Sequence, residues 1–220
     1  MNIAENILKH NLKNVYFLTG TAMAGKTTMA QELSAKHGFI HFNDNWHEDN
    51  FKVWNSIIDA RYQKRAARRQ AVTDWEAYFG RTLEEFLADG DYNGYEEYLE
   101  FAIVELIKIS QNNKVVADVG IPPALLAEIS AYERVACMLT SEELATCENY
   151  GKREDHREFL ECILSLTEPE KKMAVQDALF RANIRKMRAE IKEHGLFSIV
   201  RTADSSVAGT LELLEGHLGL

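Results

Sequence analysis

The sequence predicts an α/β domain whose strands lie buried in a parallel sheet, and three observations predict it. Short runs rich in β-branched and aromatic residues recur at Val15–Thr19, Phe39–Phe42, Lys114–Asp118, Arg134–Leu139 and Phe197–Arg201. These runs are predominantly apolar, as strands covered on both faces of a parallel sheet are. Longer stretches of helical periodicity separate them, as crossovers between parallel strands require. A chain of 220 residues, 46% hydrophobic and 27% charged, has room for one full domain with insertions and the composition of an ordinary folded protein.

The elements follow in order. After the first strand, Lys26–His37 places Met29, Ala30, Leu33 and His37 on one helical face, with Gly38 positioned to stop the helix. The connection 43–113 is too long for a structureless loop and is expected to hold helices at 49–72, 74–88 and 94–110, with Asp74 as N-cap of the second. Pro122 and Pro123 suit the first turn of a helix after the third strand. From Ser141 to Glu193 the pattern is helical with breaks near "NYGKRED" and "LTEPEKK"; Ser141 is the expected first N-cap, and Thr167 with Glu170 forms a capping-box pattern. Asp204 or Ser205 is a natural cap for the last helix.

Bulk properties narrow the function classes. A formal net charge of -9 and a sequence pI near 5.3 disfavour a protein that coats nucleic acid over its whole surface. No apolar run approaches the roughly 20 residues of a membrane span, and the start lacks a signal-peptide core, so a cytoplasmic protein is expected. Cys137, Cys147 and Cys162 have no CxxC spacing and read as reduced, buried thiols.

The chemistry is concentrated in "FLTGTAMAGKTTMA", residues 17–30. Gly20-Thr21-Ala22-Met23-Ala24-Gly25-Lys26-Thr27 matches Gly-x-x-x-x-Gly-Lys-[Ser/Thr], a pattern that arises by chance in roughly one chain in a hundred of this length. Its placement between an apolar strand and an amphipathic helix makes chance less tenable still. Glycines at 20 and 25 let the backbone turn tightly and approach phosphate oxygens, so that successive N–H groups of residues 20–28 point into one concavity. The helix start adds a partial positive charge. Lys26 is suited to the β- and γ-phosphates of a bound nucleotide, the Thr27 hydroxyl to Mg²⁺, and Thr28 to a supporting role. Asp118 ends the third strand as a Mg²⁺-handling carboxylate would, or as a turn aspartate.

With this loop the chain resembles the small P-loop kinases, among them nucleoside monophosphate kinases, shikimate kinases and chloramphenicol phosphotransferase. The resemblance spans most of the chain and implies a three-layer P-loop NTPase fold with a five-stranded parallel sheet ordered 2-3-1-4-5. It further implies a helical acceptor-side insertion (43–113), a lid (141–170), ATP with Mg²⁺, and a small-molecule acceptor. Asp44 falls where such kinases carry an aspartate that contacts the acceptor; a helix-capping or turn role is the alternative. In "NYGKREDHREF", Arg153 and Arg157 are expected to share a helical face and to close over the transferring phosphoryl group, although the mixed charges also suit a solvated helix. Arg181, Arg185 and Arg188 are weaker candidates of the same kind. Thr202 opens a turn that resembles the one by which such kinases pass the adenine ring. Trp46 and His47 are either acceptor-pocket or packing residues. Arg61, Lys64, Arg65 and Arg68 form either a solvated helix face or a surface for a phosphorylated or nucleic-acid acceptor. A nucleic-acid end kinase and a slowly hydrolysing ATP switch are the alternative functions.

Overall fold

The computed structural model describes residues 3–43, 74–88 and 95–220. Asp44, Trp46, His47 and the basic stretch at 61–69, with the expected helix 49–72, lie outside the described residues.

Five strands form the sheet: β1 (Val15–Gly20), β2 (Ile40–Asn43), β3 (Val115–Asp118), β4 (Val135–Thr140) and β5 (Ser198–Arg201). All pairings are parallel and the order is β2-β3-β1-β4-β5, so the expected topology is the one found. β1, β3 and β4 are buried almost end to end, which explains their unbroken apolar character.

Helices cover both faces. On one lie α1 (Ile3–Asn11), α5 (Tyr95–Ser110), α6 (Pro123–Ile129) and α9 (Pro169–Glu193), enclosing Val15, Phe17, Val115, Ala117, Val135 and Leu139. On the other, α2 (Lys26–His37) and α10 (Val207–Leu218) cover Tyr16, Leu18, Val116, Ala136 and Met138. Side chains alternate between the two cores along each strand, which gives three layers around a central sheet.

Between β2 and β3 the described helices are α3 (Trp75–Phe79), α4 (Leu83–Ala88) and α5. The expected helix 74–88 is therefore two, parted at Gly80, whose N–H bonds the Glu76 carbonyl and ends the first. Asp74 caps α3 as expected, accepting from Ala77 N–H at 2.9 Å. Beyond β4 come α7 (Cys147–Gly151), a 3₁₀ turn (Glu154–His156), α8 (Arg157–Leu164) and α9.

Three expected caps are elsewhere. Ser141 opens a turn rather than a helix, and Thr146 caps α7 by accepting from Asn149 N–H at 3.1 Å. Thr167 does not cap α9, because its hydroxyl and amide are both engaged by Glu76 of α3. Ser206 caps α10, whereas the Ser205 hydroxyl accepts from Thr202 N–H. A tertiary partner or the path of the turn decides each outcome, and α9 is left with no side-chain cap.

The segment after β4 and the region between β2 and β3 share a core. Phe79 packs with Cys147, Ile163, Phe159 and Met173. Lys172, only 6% exposed, donates to Glu76 and to the Thr167 carbonyl. That hydrogen bond, with those from Thr167, draws the Glu76 carboxyl down to about 2. Burial pushes the Cys137 thiol up to about 12 and raises Cys147 as well. No helix among the described residues is long and apolar enough to cross a membrane.

Candidate functional site

The glycine loop leaves β1, turns beneath the carboxyl ends of the strands and enters α2. Gly20 is required by contact: its φ is 142° and an added Cβ would lie 1.7 Å from the Met138 carbonyl oxygen of β4. That approach lets Thr21 N–H bond the same carbonyl at 3.0 Å, while the Thr21 hydroxyl accepts from Thr140 N–H at 2.9 Å. Gly25 is required by conformation instead, with φ 87° and only an ordinary van der Waals contact, Arg201 Cδ at 3.9 Å, where its Cβ would be. Met23 adopts a left-handed φ of 62°, unusual for a residue with a side chain, and its side chain packs with Ala145 and Ile184. Ala22 packs against that same cluster, and Ala24 is buried with the α2 core.

The start of α2 is open. Gly25 supplies no side-chain cap and the first turn carries no acidic residue, so the first-turn amides have no side-chain acceptor of the helix's own. Such a terminus favours an anion. Lys26 Nζ lies back across the loop and donates to the Thr21 carbonyl at 3.0 Å. Thr28 is exposed on the first turn.

Thr27 and Asp118 come together. The Thr27 hydroxyl donates to Asp118 Oδ2 at 2.6 Å, and Asp118 is 2% exposed. Its Oδ1 is buried and has no hydrogen-bond partner among the described residues. His41 of β2 lies on the same face of the sheet, and burial holds it below its ordinary value against the pull of the Asp118 charge. A hydroxyl oxygen beside a carboxylate with an unpaired oxygen is a hard donor set that fits Mg²⁺, which completes its shell with water and phosphate oxygens. Among the described residues no group of three or more His, Cys, Asp or Glu side chains could hold a metal without such help.

A cleft of about 270 Å³ opens beside the loop. Its floor is Gly20–Met23, and its walls include Gly120, Pro122 and Pro123 after β3, Thr140 at the end of β4, and Tyr150. Leu99 of α5 and Phe180, Ile184 and Met187 of α9 supply apolar side chains, and Asn183, Lys186 and Glu190 of α9 join Thr21, Thr140 and Tyr150 as polar ones. Ligands in doubly wound sheets bind at this end of the strands.

The arginines expected over this site are not on a common face. Arg153 has extended backbone before the 3₁₀ turn, and Arg157 starts α8 after it, so the helical spacing between them is broken. Both are exposed, and neither lines the cleft. Arg185 forms a two-pronged ion pair with Glu142, at 3.0 and 2.5 Å, and Arg181 donates to the Glu142 carbonyl. Thr202 is exposed just beyond β5.

One residue with a clear place at the loop was not singled out by the sequence. Arg201, the last residue of β5, donates from Nη1 to the Met23 carbonyl at 2.6 Å. The two are 178 positions apart, and the only signal was a cation at the carboxyl end of a strand beside the nucleotide-like turn.

No family model matches the sequence, and no curated protein matches it significantly. Among solved structures the chain is similar to shikimate kinase from Acinetobacter baumannii in complex with shikimate, at 16% identity and a TM-score of 0.48 over 93% of each chain. It is also similar to shikimate kinase from Bacteroides thetaiotaomicron, at 14% identity and a TM-score of 0.47, over 94% of this chain and 98% of that one. The chain's own parallel sheet of order 2-3-1-4-5, with the glycine loop leaving the central strand, makes it an α/β domain of the P-loop architecture.

Proposed function

We propose that the protein is an ATP-dependent phosphotransferase that moves the γ-phosphoryl group to a hydroxyl or phosphate of a small-molecule acceptor. The observation that carries this reading is the Thr27–Asp118 hydrogen bond at the open start of α2, with the second Asp118 oxygen buried and unpaired. A purely structural turn gains nothing from a buried charge left half-satisfied. A site for a polyphosphate with its cation requires one.

Roles follow from position. The loop amides of Gly20–Thr28 and the Lys26 ammonium hold the phosphates, while Thr27 and Asp118 are the residues that would hold Mg²⁺. When bound, Mg²⁺ neutralises charge on the phosphate oxygens. Asp44 follows Asn43, the β2 residue in register with Asp118, and is assigned the proton of the acceptor hydroxyl. Arg153 or Arg157 is assigned to the transferring group, with 141–170 acting as a lid, and Thr202 to the base side of the nucleotide. The acceptor occupies the cleft of Pro122, Pro123 and Phe180, whose apolar walls exclude water, and residues 43–113 supply its selectivity. Catalysis on this plan is positioning and charge neutralisation.

The test is transfer of label from γ-labelled MgATP to pooled nucleosides, nucleotides, sugars, amino alcohols and antibiotics. A labelled product is expected, lost in Lys26→Ala with the fold retained. In Asp44→Asn turnover is expected to fall by about 10² or more with MgATP affinity kept. Full activity of Lys26→Ala refutes the site. Label released only as inorganic phosphate points to a nucleotide-operated switch instead.

A further inference from the structure

Met23 is the one loop residue that holds a left-handed backbone without being glycine, and its carbonyl is the atom that Arg201 reaches. In a trans peptide the C=O and the following N–H point in opposite directions. With the Met23 carbonyl bonded to Arg201, the Ala24 N–H is aimed away from that guanidinium. A cation bonded to the carbonyl also polarises that peptide and makes its N–H a stronger donor.

Arg201 is well placed to fix this peptide. It ends β5, where its own carbonyl accepts from Ser141 N–H at 2.8 Å. The turn after it is tied by Thr202 N–H to the Ser205 hydroxyl at 2.9 Å. Its stem passes Gly25, where an added Cβ would meet Arg201 Cδ at 3.9 Å. One side chain therefore spans the loop from its apex to the first residue before α2.

We propose that Arg201 is a positioning residue for phosphate binding: it holds the Met23–Ala24 peptide so that the Ala24 N–H donates to the polyphosphate, and adds its charge to that of Lys26 and the helix start. The inference rests on the nucleotide-site reading above and extends it to a cation outside the loop motif. The alternative role is a tie between β5 and the loop that only supports the fold.

The experiment measures Kd by calorimetry for MgATP, MgADP and magnesium tripolyphosphate, with wild type, Arg201→Ala and Arg201→Lys. Losing one charge-assisted bond is expected to weaken all three ligands in Arg201→Ala by a common factor of roughly 10 to 100, because the peptide reads phosphate and not base. Arg201→Lys is expected to recover part of the loss. The ligand-free melting temperature is expected to stay near wild type, and the Ala24 amide proton to move upfield in Arg201→Ala as its peptide loses polarisation. Unchanged affinity in Arg201→Ala overturns the inference, as does a loss for the nucleotides that spares tripolyphosphate. A loss matched by a lowered melting temperature, without the amide shift, assigns Arg201 to the fold and overturns it too. Wild-type protein that binds none of the three overturns the nucleotide-site reading itself, so the two failures are distinct.

Discussion

Asp118 and Thr27 differ in what they do for stability, although they share one hydrogen bond. Thr27→Val removes the donor and leaves a 2% exposed carboxylate with neither oxygen paired to a described residue. Losing a hydrogen bond to a charged group costs about 1.5–3 kcal/mol. In a domain of this size that lowers the melting temperature by roughly 3–12 °C. Asp118→Asn keeps an oxygen for the Thr27 hydroxyl and removes the buried charge, whose desolvation is only half offset. Its melting temperature is expected to equal or exceed that of wild type, while Mg²⁺-dependent ATP binding collapses in both variants. Thermal melts followed by circular dichroism, beside calorimetry with MgATP, measure both quantities. Asp118→Asn destabilised as much as Thr27→Val would refute the reasoning, since Asp118 would then belong to the packed fold and not to a site that the fold tolerates.

Three further outcomes are expected. Gly20→Ala forces a methyl group into the Met138 carbonyl and is expected to cost about 3 kcal/mol or more, whereas Gly25→Ala makes only an ordinary contact with Arg201 Cδ and costs mainly left-handed strain of about 1–2 kcal/mol; denaturant melts rank the two. Glu76 titrates near 2 in the folded protein against an ordinary 4.5, so its contribution is complete above pH 4.5 and is lost as pH falls toward 2; Glu76→Gln is expected to flatten the melting temperature across that window. Of the three thiols, Cys137 and Cys147 are buried and raised, so a thiol reagent at pH 8 is expected to modify Cys162 first and the others only on unfolding.

The sheet was legible because each strand is a short apolar run bounded by polar residues, and its limits came within a residue or two of those found. The loop was legible because its eight residues are contiguous and its pattern of two glycines, a lysine and a hydroxyl can be recognised locally, even though the contact that demands Gly20 comes from Met138 of β4. What the sequence concealed is pairwise and distant. Thr167 looks like a cap until Glu76, 91 residues earlier, takes its hydroxyl and amide. Arg153 and Arg157 look like one helical face until the backbone at 153 extends and a 3₁₀ turn intervenes. Arg201 looks like a strand end until its guanidinium meets the Met23 carbonyl. Helical periodicity carries no information about such partners, because the geometry that joins them is created only when the sheet closes.

The strand order also bears on how the chain can be made. β1 is the central strand, and its neighbours are β3 and β4, with Val15 beside Val115 and Phe17 beside Val135. On a ribosome adding about 5–20 residues per second, Val15 waits some 5–20 s before its first partner strand is synthesised. Through that interval a strand buried almost throughout in the finished protein, with the glycine loop at its end, has no sheet to join. Pairing at such separation makes for slow folding and a long exposure to aggregation. Expression yield is therefore expected to respond to slower elongation and to chaperone supply more than to the stability of the finished protein.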